Sequence, residues 1–573
     1  MPNKLSSRLL LVALLLPPVV SAELTISGVD EDLERNVRAF ATIAAEPCDA
    51  DDRLIRRRFR TLEKEARTAL EPFGYYRPTI QTKLSRDGKC WLATVVIDPG
   101  EPIRLRNIDI RIDGAASTDP AFQELLAATS LAPGAVLRHA DYDRLKRALQ
   151  VRAADRGYFK AAYTTSQLDI WPSEGKADIT LHFTSGPRYR IGEIRQEQQF
   201  INPAIVLGYL NLKIGEPYDA NDIARAYRDL SDSAYFGQIE IIPDVENVVG
   251  EQVPLRIVLQ PANRIEYTIG VGASTDTGPR FRAGFRNNRI NTRGHRLFAD
   301  LNVSTVLQGL TTEYRIPLHD PRREWFSTTA AYSNEETDTF DNEAQRLGVR
   351  WTKAMGESWL RTLSLDANRE SFKVGEDKDT TLSIVPAITF DQKRSDRDIF
   401  PLHGRRLGIK LRGTDESIGS SMSFIQATIW MRWIRSFGQG NRVLARLNAG
   451  ATDSNDFAEL PPSIRFFAGG DESVRGFDYD SLGPKDADGN VVGGNNLLVA
   501  SLEYERHLKG NFYGAIFVDA GNAFNDIDFE AEVGAGIGIK WRSPLGPIRL
   551  YLGYPVSDSN ESLRVHLRLG ADL

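Results

Sequence analysis

The sequence predicts two kinds of structure in one chain: three small α+β modules, followed by an antiparallel transmembrane β-barrel of roughly 16 strands. Three observations carry this prediction. A small residue followed by two aromatics recurs three times at domain-scale spacing before residue 264. Period-2 alternation replaces helical spacing after it. No internal apolar run approaches the roughly 18 residues that a membrane helix needs.

The 573 residues are enough for several domains, and 41% apolar with 26% charged side chains is the composition of a folded chain. With 71 basic and 77 acidic residues the net charge is −6, which argues against a protein built to hold nucleic acid. A mean hydropathy of −0.33 excludes a bundle of membrane helices. It is compatible with barrel strands, whose lipid-facing and lumen-facing residues average to a mild value.

Residues 1–22 read as an export signal. Lys4 and Arg8 make a basic start, Leu9 to Leu16 are apolar, Pro17-Pro18 stops a helix, and Val20-Ser21-Ala22 offers small residues for cleavage. In an oxidising compartment the two cysteines, Cys48 and Cys90, favour a disulfide. It would close a loop of about 40 residues and add about 2–4 kcal/mol, two free buried thiols being the alternative. The seven histidines are scattered with no HExxH-like spacing, so neither a metal site nor a cofactor is expected.

The repeated marker is Gly74-Tyr75-Tyr76, then Gly157-Tyr158-Phe159, then Ala234-Tyr235-Phe236. Each closes a helical stretch. Ile55, Phe59, Leu62, Ala66 and Leu70 fall three or four apart in the first, Leu145, Ala148, Leu149 and Arg152 in the second, and Ile223, Tyr227 and Leu230 in the third. Strand-like segments follow, among them Thr94–Ile97, Leu105–Ile112, Ile179–Phe183 and Pro254–Leu259. Pro99-Gly100 and Ser185-Gly186-Pro187 punctuate the junctions. The order strand, helix, helix, strand, strand suits modules of about 80 residues. The basic run Arg56, Arg57, Arg58 and Arg60 is flanked by acids and reads as a solvated helix face.

From Arg264 onward alternation dominates. Ile265, Tyr267, Ile269, Val271 and Ala273 interleave with Glu266, Thr268 and glycines; Ile409 and Leu411 with Lys410 and Arg412; Leu563, Val565, Leu567 and Leu569 with Arg564, His566 and Arg568. One apolar and one charged face on so many segments suits a barrel with a polar interior. At about 19 residues per strand with its connections, residues 264–573 allow roughly 16 strands.

The segment Val474-Arg475-Gly476-Phe477 sets one arginine among glycines and an apolar pair. Arg475 is either a solvated loop cation or a semi-buried one that must find a carboxylate. Glu503 and Asp519, each among alternating apolar residues, are the candidates, and a forked guanidinium suits them better than an ammonium. The glycine run Gly534–Gly538 lacks a following helix or a Walker lysine, which argues against a nucleotide loop. No GxSxG, HExxH or paired catalytic spacing points to an enzyme.

These residues carry a resemblance. Val474-Arg475-Gly476-Phe477 resembles the VRG(F/Y) signature of the long sixth loop in the BamA/TamA superfamily of outer-membrane proteins. Phe517, Asp519 and Gly521 are similar to its FxDxG strand motif. Asp396–Pro401 with Gly404, and the run Gly534–Pro547, are similar to further family patterns. The resemblance implies POTRA domains at residues 23–103, 104–187 and 188–263 and an outer-membrane barrel at 264–573. The count of three repeats, and the ending Leu569-Gly570-Ala571-Asp572-Leu573, resemble the TamA branch. A terminal Leu573 departs from the aromatic ending of many outer-membrane barrels.

The resemblance further implies a lateral seam between a first strand carrying Ile265, Tyr267 and Ile269 and a last strand carrying Leu563, Val565, Leu567 and Leu569. Gly570 would permit an inward kink there. Loop six would be pinned by Arg475 to Asp519 and Glu503. The implied function is assembly of client outer-membrane β-barrel proteins such as autotransporters within outer-membrane lipid. The implied partner is an inner-membrane-anchored TamB-like protein on the N-terminal repeat. A two-partner-secretion channel or porin-like pore is the alternative.

Overall fold

In the computed structural model the described residues are 23–87, 90–397, 399–525, 529–543, 546–558 and 562–569. The expected signal (residues 1–22) and Gly570 lie outside them. The chain divides into two compact units. One holds the first two repeats with Lys213–Ile223 and Pro243–Leu255; the other holds Arg195–Leu212, Ala224–Ile242 and Arg256 onward.

Each repeat is built strand, helix, helix, strand, strand. In the first, the strand Glu23–Ser27 lies parallel to the central strand Cys90–Asp98, which pairs antiparallel with Thr79–Asp87. Helices Glu31–Phe40 and Asp52–Leu70 begin at Asp30 and Asp51, whose carboxylates accept from Leu33 N and from Arg53 N and Leu54 N. Their apolar stripes (Leu33, Val37, Ile55, Leu62, Ala66, Leu70) pack on Trp91, Ala93, Val95 and Ile97. A disulfide joins Cys48 to Cys90, with the Cα atoms 4.4 Å apart. Arg56 and Arg58 lie outside the core and pair with Asp52 and Glu46.

The second repeat runs through Arg104–Asp113, Pro120–Ala127, His139–Asp155, Ala162–Trp171 and Lys176–Thr184, with Lys176–Thr184 central in its sheet. Phe122, Leu145, Leu149, Ile179, Leu181 and Phe183 form its core. The third runs through Arg190–Glu197, Pro203–Leu210, Ala220–Asp232, Phe236–Pro243 and Gln252–Pro261 with the same sheet order. In its second helix Ala226 and Leu230 are buried, whereas Tyr227 is exposed. The small alanine, one position away, takes the inward place that spacing alone gives to the tyrosine.

The repeated marker has a backbone cause. Gly74, Gly157 and Ala234 all have positive φ, at 94°, 79° and 58°, the left-handed turn that ends a helix. Alanine at the third position bears the strain that glycine avoids at the other two. Tyr158 and Tyr235, which follow, are buried.

From Ile265 the described residues form a closed barrel of sixteen strands, ending at Arg564–Leu569. Adjacent strands pair antiparallel, and the longest, Asp377–Ser395, has 19 residues. Alternation sorts the faces. In His403–Thr414, Ile409 and Leu411 are exposed on the outside, while Arg412 reaches Gln426 and the Ser463 carbonyl within. Gly438–Gly440 forms the hairpin between the tenth strand, Phe424–Phe437, and the eleventh, Asn441–Ser454.

Closure is uneven. The first strand pairs with the second from Ile265–Asn287 to Ser274–Gly278. On its other side, among the described residues, the ladder to the last strand pairs Ser274 with Arg568. In that register the positions opposite Ile269–Gly272 are residues 570–573, which lie outside the described residues. Tyr267 and Ile269 are each 74% exposed, and Val271 is 85% exposed. Val565 faces outward, and Leu563 precedes the last strand rather than lying in it.

Candidate functional site

The site is assembled by the long connection, residues 455–495, between the eleventh strand and the twelfth, Asn496–Lys509. This is the sixth loop of the sequence analysis. Val474 and Phe477 are buried with Ala468 and Val499, so the apolar pair holds the loop to the wall. Gly476, between them in the motif, has φ +106°, and a Cβ there would stand 3.1 Å from the Tyr554–Pro555 backbone. Only glycine meets both demands without strain.

Arg475 is 5% exposed. Its Nε donates to Asp519 Oδ2 at 2.7 Å and its Nη2 to Asp519 Oδ1 at 2.9 Å, a two-pronged bond, while its backbone N adds a third contact to Oδ2 at 3.0 Å. Nη1 donates to Glu503 Oε2 at 2.7 Å. The guanidinium plane lies 3.6 Å from the Phe517 ring centre and 4.7 Å from that of Tyr551. Tyr551 also donates its hydroxyl to Glu503 Oε1 at 2.7 Å, so both carboxylate oxygens are engaged. Burial works against the Arg475 charge, but attraction from Asp519, its hydrogen bonds and Glu503 outweigh it and push the pKa upward.

The motif strands fit around this anchor. Glu503 lies on the twelfth strand; Phe517, Asp519 and Gly521 lie on the thirteenth, Phe512–Phe524. A Cβ on Gly521 would stand 2.3 Å from the Leu498 carbonyl, so this glycine lets two strands approach closely. The glycine run on the fourteenth strand, Glu532–Ser543, clears space for the loop. A Cβ on Gly534 would fall 1.8 Å from the Arg475 carbonyl oxygen. Gly534→Ala is therefore expected to unseat loop six while the barrel still folds. Trypsin cleavage after Arg475 in folded barrels measures this; continued protection of that bond counts against the role.

A second buried charge cluster lies along the same wall. Glu505 accepts from Arg442 Nη1 at 2.6 Å and pairs with Lys540, all three within 1% exposure. Arg442 also donates to the Pro401 carbonyl at 2.9 Å and stacks 3.9 Å from the Phe400 ring centre. The turn Phe400-Pro401 is thereby held to the barrel wall.

Loop six also reaches the seam, through residues that sequence reasoning missed. Asp471 accepts from Ser274 Oγ at 2.7 Å and Thr275 Oγ1 at 3.3 Å, and pairs with His566 Nδ1 at 2.5 Å. Its backbone N donates to Asp276 Oδ2 at 2.6 Å. Burial raises the Asp471 pKa, but its bonds to His566 and Ser274 outweigh that and bring it below the ordinary range. Asp276 is pushed up to about 6 by burial and by the Asp471 charge. Asp276, Asp471 and His566 have ligating atoms within 4.8 Å of one another, and these groups bond to each other. The signal available in sequence was faint: His566 is one polar residue in an alternating run, and Asp471-Glu472 follow two glycines.

A strand-built barrel with an apolar outer face, a polar inner face and repeats ahead of it defines an outer-membrane β-barrel protein with periplasmic POTRA modules. The description of the Omp85 superfamily domain matches residues 264–572, and that of POTRA domain TamA domain 1 matches residues 23–99. The chain belongs to the Omp85 superfamily. It is 22% identical over 432 residues to the outer membrane protein assembly factor BamA of Nitratidesulfovibrio vulgaris, an alignment covering 71% of this chain and 54% of that protein. The chain thus spans about half the length of that relative. It is 22% identical over 556 residues to the same-named factor of Neisseria meningitidis serogroup B, covering 83% of this chain and 68% of that protein. BamA from Haemophilus ducreyi lacking POTRA domains 1–3 shares the fold, with a TM-score of 0.69 at 18% identity, covering 82% of this chain and 99% of that one.

Proposed function

We propose that the chain is an assembly factor that inserts client outer-membrane β-barrel proteins, autotransporters among them, sideways through its seam. The role is of the TamA kind, with an inner-membrane-anchored TamB-like partner on the N-terminal repeat. The observation that carries this reading is the seam between the first and last strands, where the described ladder pairs Ser274 with Arg568 and loop six reaches both rims through Asp471. Each backbone group left unpaired in lipid costs several kcal/mol, so a seam that opens there would present the first strand as a template for an incoming strand. Capture by β-augmentation would order the client strand in register and pass it into the bilayer without fuel. A cavity of about 920 Å³ lies beside this edge, lined by Val271, Phe281, Trp541, Ile548 and Leu569, and offers room for apolar side chains of the client. The Cys48–Cys90 bridge would stiffen the repeat that meets the partner.

The test places a photo-crosslinking residue at Ile269 in cells that make an autotransporter. The expected result is an adduct between position 269 and a strand of the client barrel. Adducts confined to lumen positions, with none at 269, would instead indicate a secretion channel.

A further inference from the structure

Loop six touches both rims of the seam. On the first-strand rim, Ser274 and Thr275 donate their hydroxyls to Asp471, and Asp276 accepts from its backbone N. On the last strand all three inward side chains are held by the loop: Arg564 by Asp478, His566 by Asp471 and Arg568 by Glu472. Glu472 also pairs with Arg432 on the tenth strand. Gly476 N donates to His566 Nε2 at 2.9 Å. That bond fixes the proton of a neutral His566 on Nδ1, where it points at Asp471. Beside these side-chain links, the backbone ladder between the two rims pairs Ser274 with Arg568 among the described residues.

We infer that loop six is a bolt across the seam. Asp471, oriented by His566, holds the first and last strands together, and the strands part when its carboxylate leaves Ser274 and Thr275. Asp471 and His566 are positioning residues, distinct from the Arg475 anchor, which grips the opposite side of the loop through Asp519 and Glu503. This deepens the assembly reading above, because the same seam would admit the client.

The test measures spin-label distances between positions 269 and 565 of the full chain in lipid nanodiscs, with no client present. Asp471→Ala is expected to add a longer-distance population several-fold larger than in the parent. Asp486→Ala, at an exposed turn of the same loop that caps to Asn490, is expected to leave the distribution unchanged. Identical distributions for the parent and a folded Asp471→Ala barrel overturn the bolt. If Asp471→Ala fails to fold, Ser274→Ala with Thr275→Val cuts the same contacts from the other rim, and an unchanged distribution there is equally decisive. Because no client is present, an opened seam supports the bolt even when position 269 gives no client adduct, an outcome that removes only the assembly reading.

Discussion

Arg475→Ala is expected to impair the client assembly proposed above while the barrel still reaches the membrane. The substitution removes the two-pronged bond to Asp519 and the bond to Glu503. It leaves two carboxylates, at 0% and 6% exposure, without their principal counter-charge. Breaking a buried pair from one side costs about 3–5 kcal/mol, which lowers the docked population of the loop about a hundredfold or more. The sixteen-strand ladder does not depend on that contact, so the wall survives. Arg475→Lys is expected to fail as well, since an ammonium cannot span Asp519 and Glu503 with parallel bonds. The measurement is the amount of client in the outer membrane, with heat-modifiable mobility reporting the barrel itself. Normal client levels in either variant would remove the anchor from the mechanism.

Ala273→Cys with Leu569→Cys is expected to lock the seam. The register set by Ser274 opposite Arg568 brings these two positions face to face on the outer side of the wall, at a spacing a disulfide can bridge. Oxidised protein should lose the proposed assembly activity almost completely and recover it on reduction. Each single-cysteine variant should behave as the parent does. Full activity in the oxidised double variant would mean that clients do not pass between these strands.

Much of this architecture was legible in the residues, and the reasons are physical. Alternation at Ile409–Arg412 reports a two-sided wall because side chains on a strand point to opposite faces. Gly74, Gly157 and Ala234 mark helix ends because the chain must turn left-handed there. The Arg475 partners could be named because a buried guanidinium needs acids, and few acids lie on later strands. What stayed hidden depends on closure. Asp471 meets Ser274 across 197 residues and His566 across 95, and no local period links such positions. The Glu505–Arg442–Lys540 cluster escaped for the same reason, each member reading as one more lumen-facing charge. Tyr227 failed differently: spacing placed it inward, and packing preferred the smaller Ala226.

The grip of loop six on Arg564, His566 and Arg568 makes the closing strand depend on the loop for its inward charges. The final strand's inward side chains find acceptors on residues 471–478, a stretch itself held by a carboxylate on the thirteenth strand. Loop and closing strand are thus one fastening, and a cylinder closed with that loop outside would keep its wall but leave the inward cations of its last strand with fewer acids to meet.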